Sequence, residues 1–300
     1  MELKEKLIRK GHIPLDKSWI IRMGVLDLIH GKKDCIKFLR NVPELNEDLK
    51  ALYKASVDWS KKQEIDVGES GTLYRFLQFA SWELGLNKRF ILHGTLKERK
   101  ICDNPDIVNW PIADLLMIDG KNPKKRGTSQ WASAAVLMGS QERLEDIDDP
   151  PFKLKDSYDA KEHWNKMTVK GKHWEPRYDE TILLQALAFL DILNHRKINY
   201  KPRQPEDYCF ARAFGFISKF VGEAKWPSLH GHESDRIEEM EKVIKAVEAG
   251  KMIESKDHRP VQAGAELQKV KGMPIRVRYP ESVNKSWPMF WKFLEGSLHL

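Results

Sequence analysis

The sequence predicts an α/β chain. Nine segments carry apolar residues at helical spacing, and short β-rich runs bounded by Gly, Pro or Asn lie between them. The hydrophobic content of 41% over 300 residues supports one large core or two smaller ones and excludes a disordered chain. Two compact lobes are expected.

In chain order, helical periodicity runs over 17–30, 44–58, 70–84, 128–139, 179–193, 207–221, 232–249, 260–270 and 286–297. The strand candidates are 35–40, 63–67, 89–92, 197–201 and 274–278. The stretch 141–172 breaks the rhythm with Asp146, Asp148, Asp149, Pro150 and Pro151, and reads as a long surface insertion. Pro202 and Pro205 make 200–205 the expected hinge between lobes.

A formal charge of +7 and a pI near 9.1 point to an anionic partner: nucleic acid, an acidic membrane surface or a phosphorylated metabolite. Cys35, Cys102 and Cys209 lie far apart, so neither a disulfide framework nor a CxxC metal knuckle is expected, and a reducing, cytoplasmic compartment fits. The first fifteen residues lack the apolar core of a secretory signal, and no stretch approaches the ~18 apolar residues of a membrane span. His12, His93, His173, His230 and His258 are not spaced as metal ligands, so no catalytic metal or cofactor is expected.

Several helices begin at small hydroxyl residues or glycine accompanied by a cation. Unpaired backbone N–H groups make such helix starts suitable for phosphate or carboxylate. Lys17, Ser18 and Arg22 open the first. Gly68, Glu69, Ser70, Gly71 and Thr72, followed by Arg75, open another after a strand. Thr128, Ser129 and Gln130 open a third behind Lys124, Lys125 and Arg126. Taken alone, a Ser or Thr at a helix start is more often a plain N-cap, and Arg22 or Arg75 reads also as a solvated face. Their recurrence favours chemistry, as does a later series of Glu233, Ser234, Asp235 and Arg236, then Asp257, His258 and Arg259, then Lys285.

The order and spacing of these groups resemble the EPSP synthase (3-phosphoshikimate 1-carboxyvinyltransferase) family of enolpyruvyl transferases. Its K-S-x-x-x-R opening matches Lys17 to Arg22, and G-N-(A/S)-G-T-x-x-R matches Gly68 to Arg75, with Glu69 in place of Asn. Its (K/R)-x-R-P matches Lys97, Glu98 and Arg99, with Lys100 in place of Pro, and S-S-Q matches Thr128, Ser129 and Gln130. K-E-(S/T)-D-R matches His232 to Arg236, D-H-R matches Asp257 to Arg259, and K-(T/S)-x-P-x-(F/W) matches Lys285 to Phe290.

The resemblance implies a two-lobed inside-out α/β barrel of βαβαββ units, with substrates between the lobes. The N-terminal, acceptor-side lobe would be 14–205, and 1–13 with 206–300 would form a reduced lobe on the phosphoenolpyruvate side. The implied reaction moves the enolpyruvyl group of phosphoenolpyruvate to the 5-hydroxyl of shikimate 3-phosphate and releases phosphate. With each phosphate at about −1.5 to −2, the two substrates carry roughly −5 to −6. Lys17, Arg22, Arg75, Arg99, Arg236, Arg259 and Lys285 would balance that charge.

By the same resemblance, Arg22, Thr128, Ser129 and Gln130 would hold the acceptor, with Ser18 beside them. Arg99, Arg236, Arg259 and Lys285 would grip phosphoenolpyruvate beside Gly71, Thr72 and Arg75, and Lys17 would touch both. Glu233 and Lys285 are the implied proton carriers, and Asp207, with Glu206 as rival, the acceptor-side carboxylate. Arg177 stands where the family has a Tyr near the acceptor.

The chain departs from the family in length: between Thr181 and Asp207 a whole βαβαββ unit is missing. A trimmed homologue with another phosphorylated acceptor, or with little activity, is therefore the first alternative. A basic nucleic-acid-binding protein is the second, supported by the pI and the ten tryptophans but by no helix-turn-helix, zinc or RNP pattern. A monomer with no nucleic-acid or membrane partner is the expectation.

Overall fold

A computed structural model describes residues 3–119, 128–139, 142–148, 150–172, 175–230 and 234–297. The chain divides into two compact units, one formed by Met1–Leu15 with Tyr178–Leu300 and the other by Asp16–Arg177. The chain thus leaves the second unit after Arg177, earlier than the expected bound at 205. Its described residues form an α/β arrangement that is mostly helical, with one two-stranded parallel sheet.

Helix α1 (Leu3–Arg9) belongs to the discontinuous unit. The continuous unit holds α2 (Lys17–Ile29), α3 (Asp34–Arg40), α4 (Glu47–Asp58), β1 (Glu64–Asp66), α5 (Gly71–Glu83), β2 (Arg89–Ile91), α6 (Ile112–Leu115), α7 (Gln130–Met138) and α8 (Phe152–Val169). β1, α5 and β2 make a single βαβ unit, with Ile65 paired to Phe90 in parallel register. Helix α2 is buried almost all round, from Trp19 to Leu28, because α3, α4, α5, α7 and α8 all pack on it. Gly24 leaves room for α3 and α4: a Cβ there would stand 2.8 Å from both Cys35 Sγ and Leu52 Cδ2.

The discontinuous unit adds α9 (Glu180–Leu193), α10 (Tyr208–Ala213), α11 (Lys219–Lys225), α12 (Arg236–Glu248), α13 (His258–Val270) and α14 (Phe290–Gly296). Helix α13 is its centre. It is buried from His258 through Gln268 and packs against α9, α10, α12, α14 and the 3-10 turn Pro280–Lys285. Its core includes Phe189, Phe210, Trp287, Phe290 and Phe293. Among the described residues no helix is long and apolar enough to cross a membrane.

Several expectations are corrected. The stretch 141–172 is no surface insertion, because α8 buries Leu154, Ser157, Ala160 and Trp164 against α2 and α7. The stripe was hidden because it is narrow and its contacts are partly polar: Arg22 Nε donates to Ser157 Oγ at 2.7 Å, and Trp164 Nε1 to Asp27 Oδ1 at 2.7 Å. The 35–40 run is α3, not a strand. Cys35 and Leu39, one turn apart, are its buried face, and Asp27 Oδ2 accepts from the Cys35 N–H at 2.7 Å. A six-residue run fits either period, and the tertiary contact decides.

The 207–221 segment breaks into α10 and α11 around Gly215, whose φ of 77° ends the first helix. The 200–205 segment is not the crossing between units. It is clasped inside one of them, since the Arg203 and Gln204 N–H groups donate to Asp207 Oδ2 at 2.7 and 3.1 Å. Of the remaining strand candidates, 197–201 carries no strand, and 274–278 contributes only the isolated bridge between Ile253 and Val277.

Candidate functional site

Each unit gathers one group of buried or half-buried cations. In the continuous unit the group is built on the start of α5. Gly68 turns the chain at φ 58° after β1, and Ser70 caps the helix, its Oγ accepting from the Leu73 N–H at 3.4 Å. That cap sets Gly71 and Thr72 in the first turn, with Arg75 one turn further on the same face. Arg75 Nε donates to Asp119 Oδ2 at 2.8 Å, and Nη1 donates to Gln130 Oε1 at 2.8 Å and to the Gly71 carbonyl at 3.1 Å. Gln130 Nε2 in turn donates to Thr72 Oγ1 at 2.7 Å, and Thr128 Oγ1 accepts from the Gln130 N–H at 3.3 Å. Ser129 precedes α7 as its N-cap residue.

Arg99 joins this group from the 3-10 turn Gly94–Glu98. Its Nη2 donates to Thr95 Oγ1 at 3.3 Å. A Cβ placed on Gly71 would lie 3.1 Å from Arg75 Nη1 and 3.5 Å from Arg99 Nη1, so both guanidinium groups approach the same glycine. Burial lowers the pKa of Arg75, the Asp119 carboxylate restores part of the loss, and Arg99 lowers it again.

The acceptor-side residues of this unit do other work. Lys17 Nζ lies 2.6 Å from Asp48 Oδ2. Arg22 is 2% exposed, and its guanidinium donates to Ser157 Oγ, to the Lys153 carbonyl at 2.8 Å, and to the Ser18 carbonyl and hydroxyl at 2.8 and 2.6 Å. Arg22 therefore ties α2 to α8. Arg177 stacks over Trp19 with Nε 3.4 Å from Asp16 Oδ2.

In the discontinuous unit the group is built on the start of α13. Asp257 caps that helix by accepting from the Arg259 N–H at 3.0 Å. Its other oxygen accepts from Arg236 Nε and from Ser234 Oγ, both at 2.8 Å. Burial would raise the Asp257 carboxyl, but the Arg236 guanidinium, with His258 next, holds it well below the usual carboxylate range. Arg259 is 7% exposed, and its Nε and Nη1 are buried without a hydrogen-bond partner.

Around Arg259 lie Tyr200, Cys209 and Glu266, all of which feel its charge. The Tyr200 hydroxyl donates to Asp207 Oδ1 at 2.8 Å, and Gln185 Nε2 donates to the same oxygen at 3.2 Å. Four donors thus fill the two oxygens of Asp207, and Glu206 precedes it in the same 3-10 turn. Burial pushes the Cys209 thiol up to about 12, which disqualifies it as a nucleophile at neutral pH. Lys285 ends the 3-10 turn packed on α13. Glu233 and His232 lie outside the described residues, as do Lys124, Lys125 and Arg126.

The site residues therefore fall into two groups. Gly71, Thr72, Arg75, Arg99, Thr128 and Gln130 share one, while Arg236, Arg259 and Asp207 share the other. Lys17, Ser18, Arg22 and Arg177 are engaged elsewhere in the first unit. Three carboxylates were not singled out from the sequence: Asp119 beside Arg75, Asp48 beside Lys17, and the buried Glu266. Glu266 had a signal, an acidic residue at i+7 from Arg259 and so on the same helical face. Among the described residues no group of three or more His, Cys, Asp or Glu side chains is placed to hold a metal ion.

No protein-family model matches the chain, and neither a curated protein nor a solved structure does.

Proposed function

We propose that this chain is an enolpyruvyl transferase, acting on phosphoenolpyruvate and a phosphorylated hydroxy acid. The observation that carries the reading is Arg259, a buried arginine with two N–H donors unpaired. A guanidinium in that state gains most from a bidentate oxyanion such as a carboxylate or phosphate, because unmade buried hydrogen bonds are costly. Arg236, held by Asp257, and the Arg75–Arg99 group supply further cations at positions matching the family motifs. The reading also carries the family's two-lobed inside-out α/β barrel, reduced by one βαβαββ unit.

In this mechanism the residues bind and orient. Arg259 pairs with an anionic group of phosphoenolpyruvate, and Asp257 fixes the helix start from which Arg259 projects. Positive charge preplaced where phosphate leaves lowers the barrier without rearrangement in the transition state. Lys285 and Glu233 are the proposed carriers of the proton that C3 of phosphoenolpyruvate gains as the acceptor oxygen adds to C2 and gives back as phosphate leaves and the C2–C3 double bond re-forms. The proton lost by the acceptor hydroxyl goes to a carboxylate; because four donors occupy Asp207, its rival Glu206 in the same 3-10 turn is the proposed residue.

One observation favours an acceptor other than shikimate 3-phosphate. Arg22, at a position expected to hold the phosphorylated acceptor, spends its guanidinium on Ser157, Lys153 and Ser18. Calorimetric titration with phosphoenolpyruvate, followed by a phosphate-release assay with shikimate 3-phosphate, tests both levels. Binding with phosphate release supports the full reaction, and binding without release points to another acceptor. Arg259→Ala should reduce either signal at least ~100-fold. Absence of phosphoenolpyruvate binding to the wild-type chain would overturn the proposal.

A further inference from the structure

Helix α13 carries two charged side chains that the fold buries with polar atoms unpaired. Arg259 is 7% exposed and Glu266 is 2% exposed. Arg259 Nε and Nη1 have no acceptor, and Glu266 Oε1 has no partner either. The two residues are seven apart, within about 20° of two full helical turns and about 10 Å along the axis, so both side chains leave α13 on one face. The charge of Arg259 is felt at Glu266, yet the two do not pair.

The other polar groups gathered at α13 are engaged. Asp257 accepts from Arg236, Ser234 and the Arg259 N–H, and its Oδ1 lies 3.5 Å from His258 Nδ1. Gln262, one turn beyond Arg259, donates to Ser286 Oγ at 3.1 Å. Asp207 already takes four donors, among them Tyr200. None of them pairs with Arg259 Nε, Arg259 Nη1 or Glu266 Oε1. An unpaired buried polar atom costs free energy, which a ligand that makes the missing hydrogen bond recovers. Burial holds the Glu266 carboxyl well above the ordinary carboxylate range, and the Arg259 charge offsets this only in part, so at neutral pH the group keeps a proton to donate.

We propose that Arg259 and Glu266 are the two ends of one buried ligand site along α13, whose ligand carries an oxyanion that pairs with Arg259 and a second oxygen group that accepts from the Glu266 carboxyl. The two-turn separation suits a molecule with two polar ends rather than one compact oxyanion. The inference rests on the reading of an enolpyruvyl transferase only for the natural ligand: phosphoenolpyruvate has a carboxylate at one end and a phosphate at the other. Glu266 is then the residue that selects such a molecule over a single small anion.

The test titrates three probes calorimetrically into the full chain at neutral pH: phosphoenolpyruvate, succinate and sulfate. Succinate and sulfate are both dianions, but only succinate has two separated polar ends. Glu266→Leu and Glu266→Met remove the donor and should weaken phosphoenolpyruvate and succinate roughly ten- to hundredfold, the worth of a hydrogen bond to a charged acceptor. Sulfate affinity should stay within about twofold in the same variants, because its contacts are those of Arg259. Glu266→Gln keeps an N–H donor at the same place and should restore binding of both two-ended probes to within about threefold of wild type. Thermal melts of each variant separate a binding effect from a folding defect.

Unchanged succinate and phosphoenolpyruvate binding in folded Glu266→Leu and Glu266→Met overturns the inference. So does an equal loss for sulfate and the two-ended probes, or the failure of every probe to bind wild type, in which case Arg259 and Glu266 face water only. No probe requires turnover, so failure here and failure of the transferase reading are separate results. Phosphoenolpyruvate binding that depends on Arg259, with no effect at Glu266, leaves the reading standing without this inference. Succinate binding that depends on both residues, without phosphoenolpyruvate binding, does the reverse.

Discussion

Arg236 Nε lies 2.8 Å from Asp257 Oδ2, and both side chains are buried where α12 meets the start of α13. Asp257 also accepts from Ser234 Oγ and from the Arg259 N–H, so one carboxylate orders the start of the helix that carries Arg259. Removing it takes one carboxylate partner from a buried guanidinium and the cap from the helix start. Asp257→Ala should destabilise the protein by about 3–5 kcal/mol, read from urea unfolding. The pH dependence follows from the direction of the shift. The folded carboxyl titrates below the unfolded one, so its contribution is present above pH ~4 and is lost as pH falls further. In acid, wild type should therefore lose stability faster than Asp257→Asn.

Glu266 should behave in the opposite sense. Burial raises its pKa well above the ordinary value, and the charge of Arg259 offsets this only in part. The folded protein keeps a proton that the unfolded chain releases above pH ~4.3, so this residue costs stability as pH rises from there. Glu266→Gln keeps the shape without the titration. It should melt higher than wild type at pH 8 and equal to it at pH 4. Equal melting temperatures at both pH values would show that the carboxyl is ionised in the folded state.

Arg22 separates a structural role from a binding role. Its guanidinium joins Ser18 on α2 to Ser157 and the Lys153 carbonyl on α8. Arg22→Met should cost about 3 kcal/mol through orphaned buried acceptors and expose α8 to limited proteolysis. Phosphoenolpyruvate affinity in the folded fraction should stay unchanged. A stable variant with weakened ligand binding would assign Arg22 to the site instead.

Gly24 tests the packing of α2. An added methyl would meet Cys35 Sγ and Leu52 Cδ2 at 2.8 Å, closer than contact allows. Gly24→Ala should lower stability by about 1–3 kcal/mol despite the better helix propensity of alanine. Combining it with Leu52→Val should recover part of the loss in a chemical denaturation series.

Much of the secondary structure was legible because its signals are local. The Ser70 cap before Gly71 and the Asp179 cap before Glu180 each accept from an N–H three residues on, and stand at the starts of the helices expected over 70–84 and 179–193. The strands at Glu64–Asp66 and Arg89–Ile91 fell inside runs set off by glycine and asparagine. Helix α8 was not legible, because its buried stripe includes Ser157 and its partners are Arg22 and Asp27. A hydrophobic period does not report polar docking.

The candidate site divides in the same way. That Arg75 stands beside Gly71 and Arg99 beside Thr95 could be read from spacing, since residues four apart come together within a turn. Spacing could not say that Asp119 would neutralise Arg75 across 44 positions, that Arg22 would be consumed by α8, or that Arg259 would be buried with two donors unpaired. The sequence by itself located helices with a clear apolar stripe, such as α2, α5 and α9, and showed which residues carry charge, because those depend on neighbours within a turn or two. Only the tertiary structure decided which charges are cancelled and which are left to act, because that depends on partners brought together from distant parts of the chain and on the water excluded when they meet.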